Sequence, residues 1–168
     1  MTVKPTLYFI QLLFKPAVGK EGFTLLELMV VITILTILVL ISFPLVMSQI
    51  GKARESEAKM NLSAIGLAQQ EYFFEKGSFS NQMSNLATSV NNGYYSYPNP
   101  TLLSSTVVKH QAVPFEPQNR NIRHYSMGVY FNSDQSYSVK LCQSANPSLD
   151  TEVGDTASSG CISGILLD

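Results

Sequence analysis

At 168 residues and a net charge of −1, the chain can form one small globular domain. It is too nearly neutral to carry a strong generic patch for nucleic acid or anionic membranes. Its apolar share of 45% and positive mean hydropathy are both raised by one N-terminal stretch, so neither describes a greasy soluble domain. Of 11 basic and 12 acidic residues, Lys4, Lys15, Lys20 and Glu21 fall in the first 22, leaving 8 and 11, net −3, for the rest. The two cysteines, Cys142 and Cys161, lie close together near the C-terminus. In an exported domain they would form a disulfide; in the cytosol they would be two thiols.

Residues 1–22 hold a short apolar piece, Leu7–Phe14, too short to span a bilayer, and then a polar junction of Lys15, Pro16, Lys20, Glu21 and Gly22. Leu28–Met47 follows: twenty residues without a formal charge, about 30 Å as a helix, the thickness of a hydrocarbon core. Twenty residues is far too long for a strand, and lipid demands internal hydrogen bonding, so the run is a helix. No A-x-A-like cleavage site follows it, and the basic residues ahead of it predict a cytoplasmic N-terminal end and an exported C-terminal domain. Pro44 removes the bond to the Leu40 carbonyl and is expected to kink or loosen the helix, with Gly51 as a second weak point. One acid, Glu27, stands at the mouth of the run, where an ordinary anchor has no use for it.

Beyond Gly51, Ala58, Leu62, Ile65, Gln69 and Tyr72 recur at helical spacing with Ala68 beside them, and charged residues occupy the other faces. This predicts one helix over 23–76, apolar all round in its first half and striped in its second, stopped by Gly77. Residues 78–120 are loop-rich, with short strands near Tyr94–Tyr97 and Thr106–Ala112. Tyr125, Met127, Val129 and Phe131 alternate, Asn132–Gln135 supply a turn, and Tyr137, Val139 and Leu141 alternate again, which predicts a hairpin packed on the Ala58–Tyr72 stripe. The segment between Cys142 and Cys161 is rich in Ser, Asn, Gly and Asp; it is expected to have little to pack, a bridge being what fixes it.

The run Lys20-Glu21-Gly22-Phe23-Thr24-Leu25-Leu26-Glu27-Leu28-Met29-Val30-Val31 resembles the N-terminal signature of type IV prepilins and type II secretion pseudopilins. Elsewhere the likeness is one of layout: an α+β pilin fold with a long helix on a small antiparallel sheet and a C-terminal disulfide loop. It implies a leader, 1–22, removed by a membrane prepilin peptidase between Gly22 and Phe23, with Phe23 then N-methylated. It implies a membrane and filament-core helix over 23–48, its amphipathic continuation over 49–77, and a globular part over 78–168. Glu27 would pair with the N-terminal amine of a neighbouring subunit, and the helix would loosen between Pro44 and Gly51 on packing. The implied partners are other pilin subunits, the prepilin peptidase, the assembly platform in the inner membrane, and lipid before assembly. The implied roles are adhesion, twitching motility or DNA uptake for a surface pilus, and protein secretion for a pseudopilin. A membrane-anchored binding or enzymatic domain that forms no filament is the reading from another class.

His110 and His124 form no metalloprotease spacing, and there is no C-x-x-C, phosphate loop or serine elbow, so no enzyme, cofactor or metal is expected. Tyr94, Tyr95 and Tyr97 with Lys109, Arg120 and Arg123 suggest an aromatic and basic surface for DNA or polysaccharide, though such tyrosines also pack sheets. Asp150, Glu152 and Asp155 give a faint version of a pseudopilin calcium cluster, and Asn61-Leu62-Ser63 a weak glycosylation acceptor.

Overall fold

The computed structural model describes residues 23–90, 92–147 and 149–167; the leader, with its Leu7–Phe14 piece and Gly22, lies outside the described residues. The chain divides into two compact units, one up to Ser42 and one from Phe43 onward. Helix α1 runs from Leu25 to Lys76 and passes through Pro44 and Gly51. Gly77 stops it in the left-handed conformation, φ 73°, with its N–H bonded to the Phe73 carbonyl at 2.8 Å. That is the αL stop for which a glycine has no steric cost.

In the second unit α1 is followed by a 3-10 turn (Met83–Asn85) and the strands β1 (Tyr95–Ser96), β2 (Thr101–Ser104) and β3 (Val107–Pro114). A one-turn helix α2 (Pro117–Arg120) leads to the hairpin β4 (Tyr125–Phe131) and β5 (Tyr137–Gln143). Strands β6 (Glu152–Val153), β7 (Cys161–Ser163) and β8 (Ile165–Leu167) complete the chain. The main sheet is antiparallel, in the order β1-β3-β4-β5-β8, with β2 sharing the β3 edge with β1. The expected strands and hairpin are present; β2, β6, β7 and β8 are additions. In β2 all four residues are exposed, so no alternating apolar pattern marks it.

The helix stripe meets the sheet as expected. Ala58, Leu62, Ile65 and Ala68 are buried with Val108, Ala112, Tyr125, Met127 and Val129 from the facing strands. Gly66 allows the approach: a Cβ there would lie 3.2 Å from Met127 Cε. The stripe ends on Phe73 rather than on the expected Tyr72, which is only half-buried. The Phe73 ring centroid lies 4.4 Å from Phe131, 4.8 Å from Phe79 and 5.9 Å from Tyr137.

The largest departure is the disulfide loop. Cys142 and Cys161 are joined, Cα to Cα 5.8 Å, but the enclosed chain is not loosely held. Strands β6 and β7 pair with each other over the outer face of the sheet, where Val153, Tyr130 and Cys142 form a second buried cluster. The Tyr130 hydroxyl donates to the Gly154 carbonyl, and the Val153 N–H donates to Ser126 Oγ at 3.3 Å. Lys109 Nζ reaches Glu152 Oε1 at 2.9 Å and Asp155 Oδ1 at 2.5 Å. The loop looked unpacked in sequence because its partners stand on three other strands.

Gly128 makes this second core possible. The Tyr130 ring folds back over it, and a Cβ at 128 would come within 2.6 Å of Tyr130 Cζ. Gly128→Ala should therefore lower stability by about 2 kcal/mol, the scale of overpacking. Chemical denaturation in detergent checks this, and in a Tyr130→Ala background most of the cost should vanish.

Candidate functional site

The first unit carries the functional signature. Thr24 caps α1 through its Oγ1, which accepts the Glu27 N–H at 3.2 Å, and the Leu28 N–H bonds the Thr24 carbonyl at 3.1 Å. Thr24-Leu25-Leu26-Glu27 has the T-x-x-E spacing of a capping box, a start signal that the sequence reading passed over. It places Glu27 in the first turn, where a carboxylate is favoured by the helix dipole.

From Leu25 onward the helix buries none of its apolar side chains until Gly51, and it is long and apolar enough to cross a membrane. The few hydroxyls in the run bond to carbonyls of the same helix. Thr33 Oγ1 donates to Met29 at 2.6 Å, Thr36 to Ile32 at 2.7 Å, Ser42 to Leu38 at 2.9 Å and Ser48 to Leu45 at 2.8 Å. Self-satisfied hydroxyls need no water, as a hydrocarbon surrounding requires.

The other residues singled out in sequence fall into different places. Gly51 is buried, and a Cβ there would lie 3.3 Å from the Asn121 carbonyl oxygen, which gives it a packing role. Gly22 is outside the described residues; Phe23 is exposed at the start of the described chain. The tyrosines do not make one aromatic and basic face. Tyr95 is buried and donates to the Arg123 carbonyl at 2.9 Å, burial pushing its phenol well above the ordinary range. The Tyr97 hydroxyl accepts from Asn61 Nδ2 at 2.9 Å, so the Asn61 acceptor amide is engaged on α1. Tyr94 alone meets basic groups, with Arg54 and Arg120 at 4.3 and 5.4 Å from its ring centroid.

Lys109 is buried on the sheet. Burial works against its charge, but Asp155 and Glu152 outweigh that and raise its pKa above the ordinary value. The three acids Asp150, Glu152 and Asp155 are thus divided: two hold Lys109, and Asp150 Oδ1 lies 3.2 Å from His124 Nδ1. Burial lowers the His124 pKa, with Asp150 opposing it. His110 is enclosed in the core, its Nε2 3.0 Å from Gln69 Nε2.

Two family models match the chain. One, described as type IV pilin-like G and H, putative, covers residues 55–161, and one for a prokaryotic N-terminal methylation motif covers residues 19–43. The type IV major pilin protein PilA of Myxococcus xanthus (strain DK1622) is 43% identical over 61 residues. That stretch is 36% of this chain and 28% of the relative, so the match spans little more than a quarter of that protein. No solved structure gives a significant match.

Proposed function

This chain belongs to the type IV pilin-like family whose model covers residues 55–161, and on that premise we propose that it is a structural subunit of a type IV pilus. One observation carries the reading: a 52-residue helix whose first part leaves its apolar side chains bare while its second part is the core of a disulfide-closed sheet domain. A solitary soluble domain has no use for such a helix; a subunit that resides in lipid and then packs against copies of itself does.

In this reading the peptidase cuts between Gly22 and Phe23 within the matched methylation motif, and Phe23 carries the methylated amine. The chain waits in the inner membrane with its N-terminus cytoplasmic and the sheet domain outside. The new amine is positive at neutral pH, and Glu27 lies one turn away. A carboxylate at membrane depth costs on the order of 3 kcal/mol on insertion scales, so it gains from an amine of a neighbouring subunit. Pairing of the two sets the axial register of the filament, and loosening between Pro44 and Gly51 lets the helices follow the fibre. The protein acts by assembly and not as an enzyme. The pseudopilin alternative is not favoured, since the family model and the relative are both pilin-like.

The experiment is replacement at the junction. Gly22→Val should leave the leader attached, read as an intact-mass gain of the whole leader; a mature chain starting at Phe23 would sink the proposal. Glu27→Val should be processed normally yet be depleted at least tenfold in sheared filaments, and full incorporation would remove the amine-pairing role.

A further inference from the structure

Beside the helix, just past the apolar run, stands a group of basic and aromatic residues. Gly51 is four residues beyond Met47, about 6 Å along the helix axis. The headgroup layer on each side of a hydrocarbon core is about 5–8 Å deep, so Gly51 falls within it when the run spans the core. The α2 turn is brought to the same level, because the Asn121 and Arg120 carbonyl oxygens lie 3.3 and 3.8 Å from where a Gly51 Cβ would be.

Four basic residues stand on or next to these two segments. Lys52 is exposed, and Arg54 and Arg120 lie against the Tyr94 ring. Arg123 follows α2, its backbone N–H bonded to Glu55 Oε1 at 3.1 Å. The acids at this level have local partners: Glu55 the Arg123 N–H, Glu116 the Arg120 guanidinium at 3.5 Å, and Glu57 is engaged as well. Among the described residues, Lys52, Arg54 and Arg123 have no salt bridge to a carboxylate. Phe115, tied by its N–H to the carbonyl of the same Tyr94, is 45% exposed.

We propose that the α2 turn, with Lys52, Arg54, Arg120 and Arg123 and the half-exposed Phe115, docks on the phosphate layer of an anionic phospholipid surface during the membrane stage. Guanidinium groups suit phosphate by their fork of donors, and an aromatic ring at this depth is at home in the interface. The cluster is local, which is why the near-neutral composition gave no sign of it. Docking would hold the sheet domain at one height on the bilayer before the helix is withdrawn. The inference rests on the reading that residues 28–47 span a bilayer.

The chain has no tryptophan, so Phe115→Trp supplies a single reporter in the full protein. It is reconstituted in nanodiscs of phosphatidylglycerol or phosphatidylcholine, with lipids brominated near the headgroup or near the chain end. In phosphatidylglycerol, quenching should be about twofold stronger from the shallow label, and emission blue-shifted; 0.5 M salt should reverse both. Adding Arg120→Gln with Arg123→Gln should do the same, and so should Lys52→Gln, whose exposed side chain can be changed without disturbing packing. Quenching that is equal in the two lipids and indifferent to salt and to these variants overturns the docking. A chain that enters neither disc overturns the spanning reading, and the docking with it.

Discussion

Replacing Cys142 and Cys161 together by serine is expected to lower the stability of the sheet domain by about 3 kcal/mol. The bridge closes a loop of sequence separation 19, and opening it returns that entropy to the unfolded chain. The disulfide is not the loop's sole fastening, however. Val153 stays buried on Tyr130, and Lys109 still faces Glu152 and Asp155. Denaturation in detergent should therefore show one cooperative transition at reduced midpoint, with amides of Val153 and Gly154 still protected from exchange below it. Full exposure of residues 150–160 in otherwise folded protein would mean that the bridge alone holds the loop. Adding Lys109→Met to the double serine variant separates the two fastenings, because the lysine is what remains to hold both acids.

Acidification is expected to cost about 3 kcal/mol more between pH 6.5 and 4, through His110. Gln69 is oriented by the Ser80 backbone, whose N–H donates to Oε1 at 2.9 Å and whose carbonyl accepts from Nε2 at 2.9 Å. The amide's remaining N–H then points at His110 Nε2, so that nitrogen accepts and the ring is neutral with its proton on Nδ1. Burial pushes the His110 pKa down from 6.5 to about 4. Between those values the unfolded chain binds the extra proton and the folded one does not, so stability falls as pH falls through this window. Above it the full stability is present, and below it the loss is complete. Unfolding free energies at pH 7 and pH 4 measure the effect; His110→Gln should be less stable at pH 7 yet lose less on acidification. Equal losses in the two proteins would refute it.

The helix is legible in the sequence because its determinants are local. An uncharged run, a 3.6-residue stripe and a glycine stop needed no distant partner, and the hairpin announced itself by alternation and a turn. Tyr72 and Phe73 show where locality ends: both fit the stripe, and only the Phe79, Phe131 and Tyr137 rings decide that Phe73 is the buried one. Lys109 shows the same limit more sharply. In sequence it stands beside tyrosines as a candidate surface cation, whereas the fold buries it between two acids more than forty residues on.

What the sequence by itself determined most directly is the N-terminal third: an uncharged run of membrane length, an acid at its mouth, and a junction that resembles a processing site. These depend on covalent spacing and on the solvent each residue tolerates, which any conformation of the chain preserves. The tertiary structure alone decided the long-range packing of the sheet domain. It roofed the sheet with the disulfide loop, made room at Gly128 for Tyr130, and brought the α2 turn against Gly51. Those contacts join residues tens of positions apart, and closing such distances is what only a completed sheet can do.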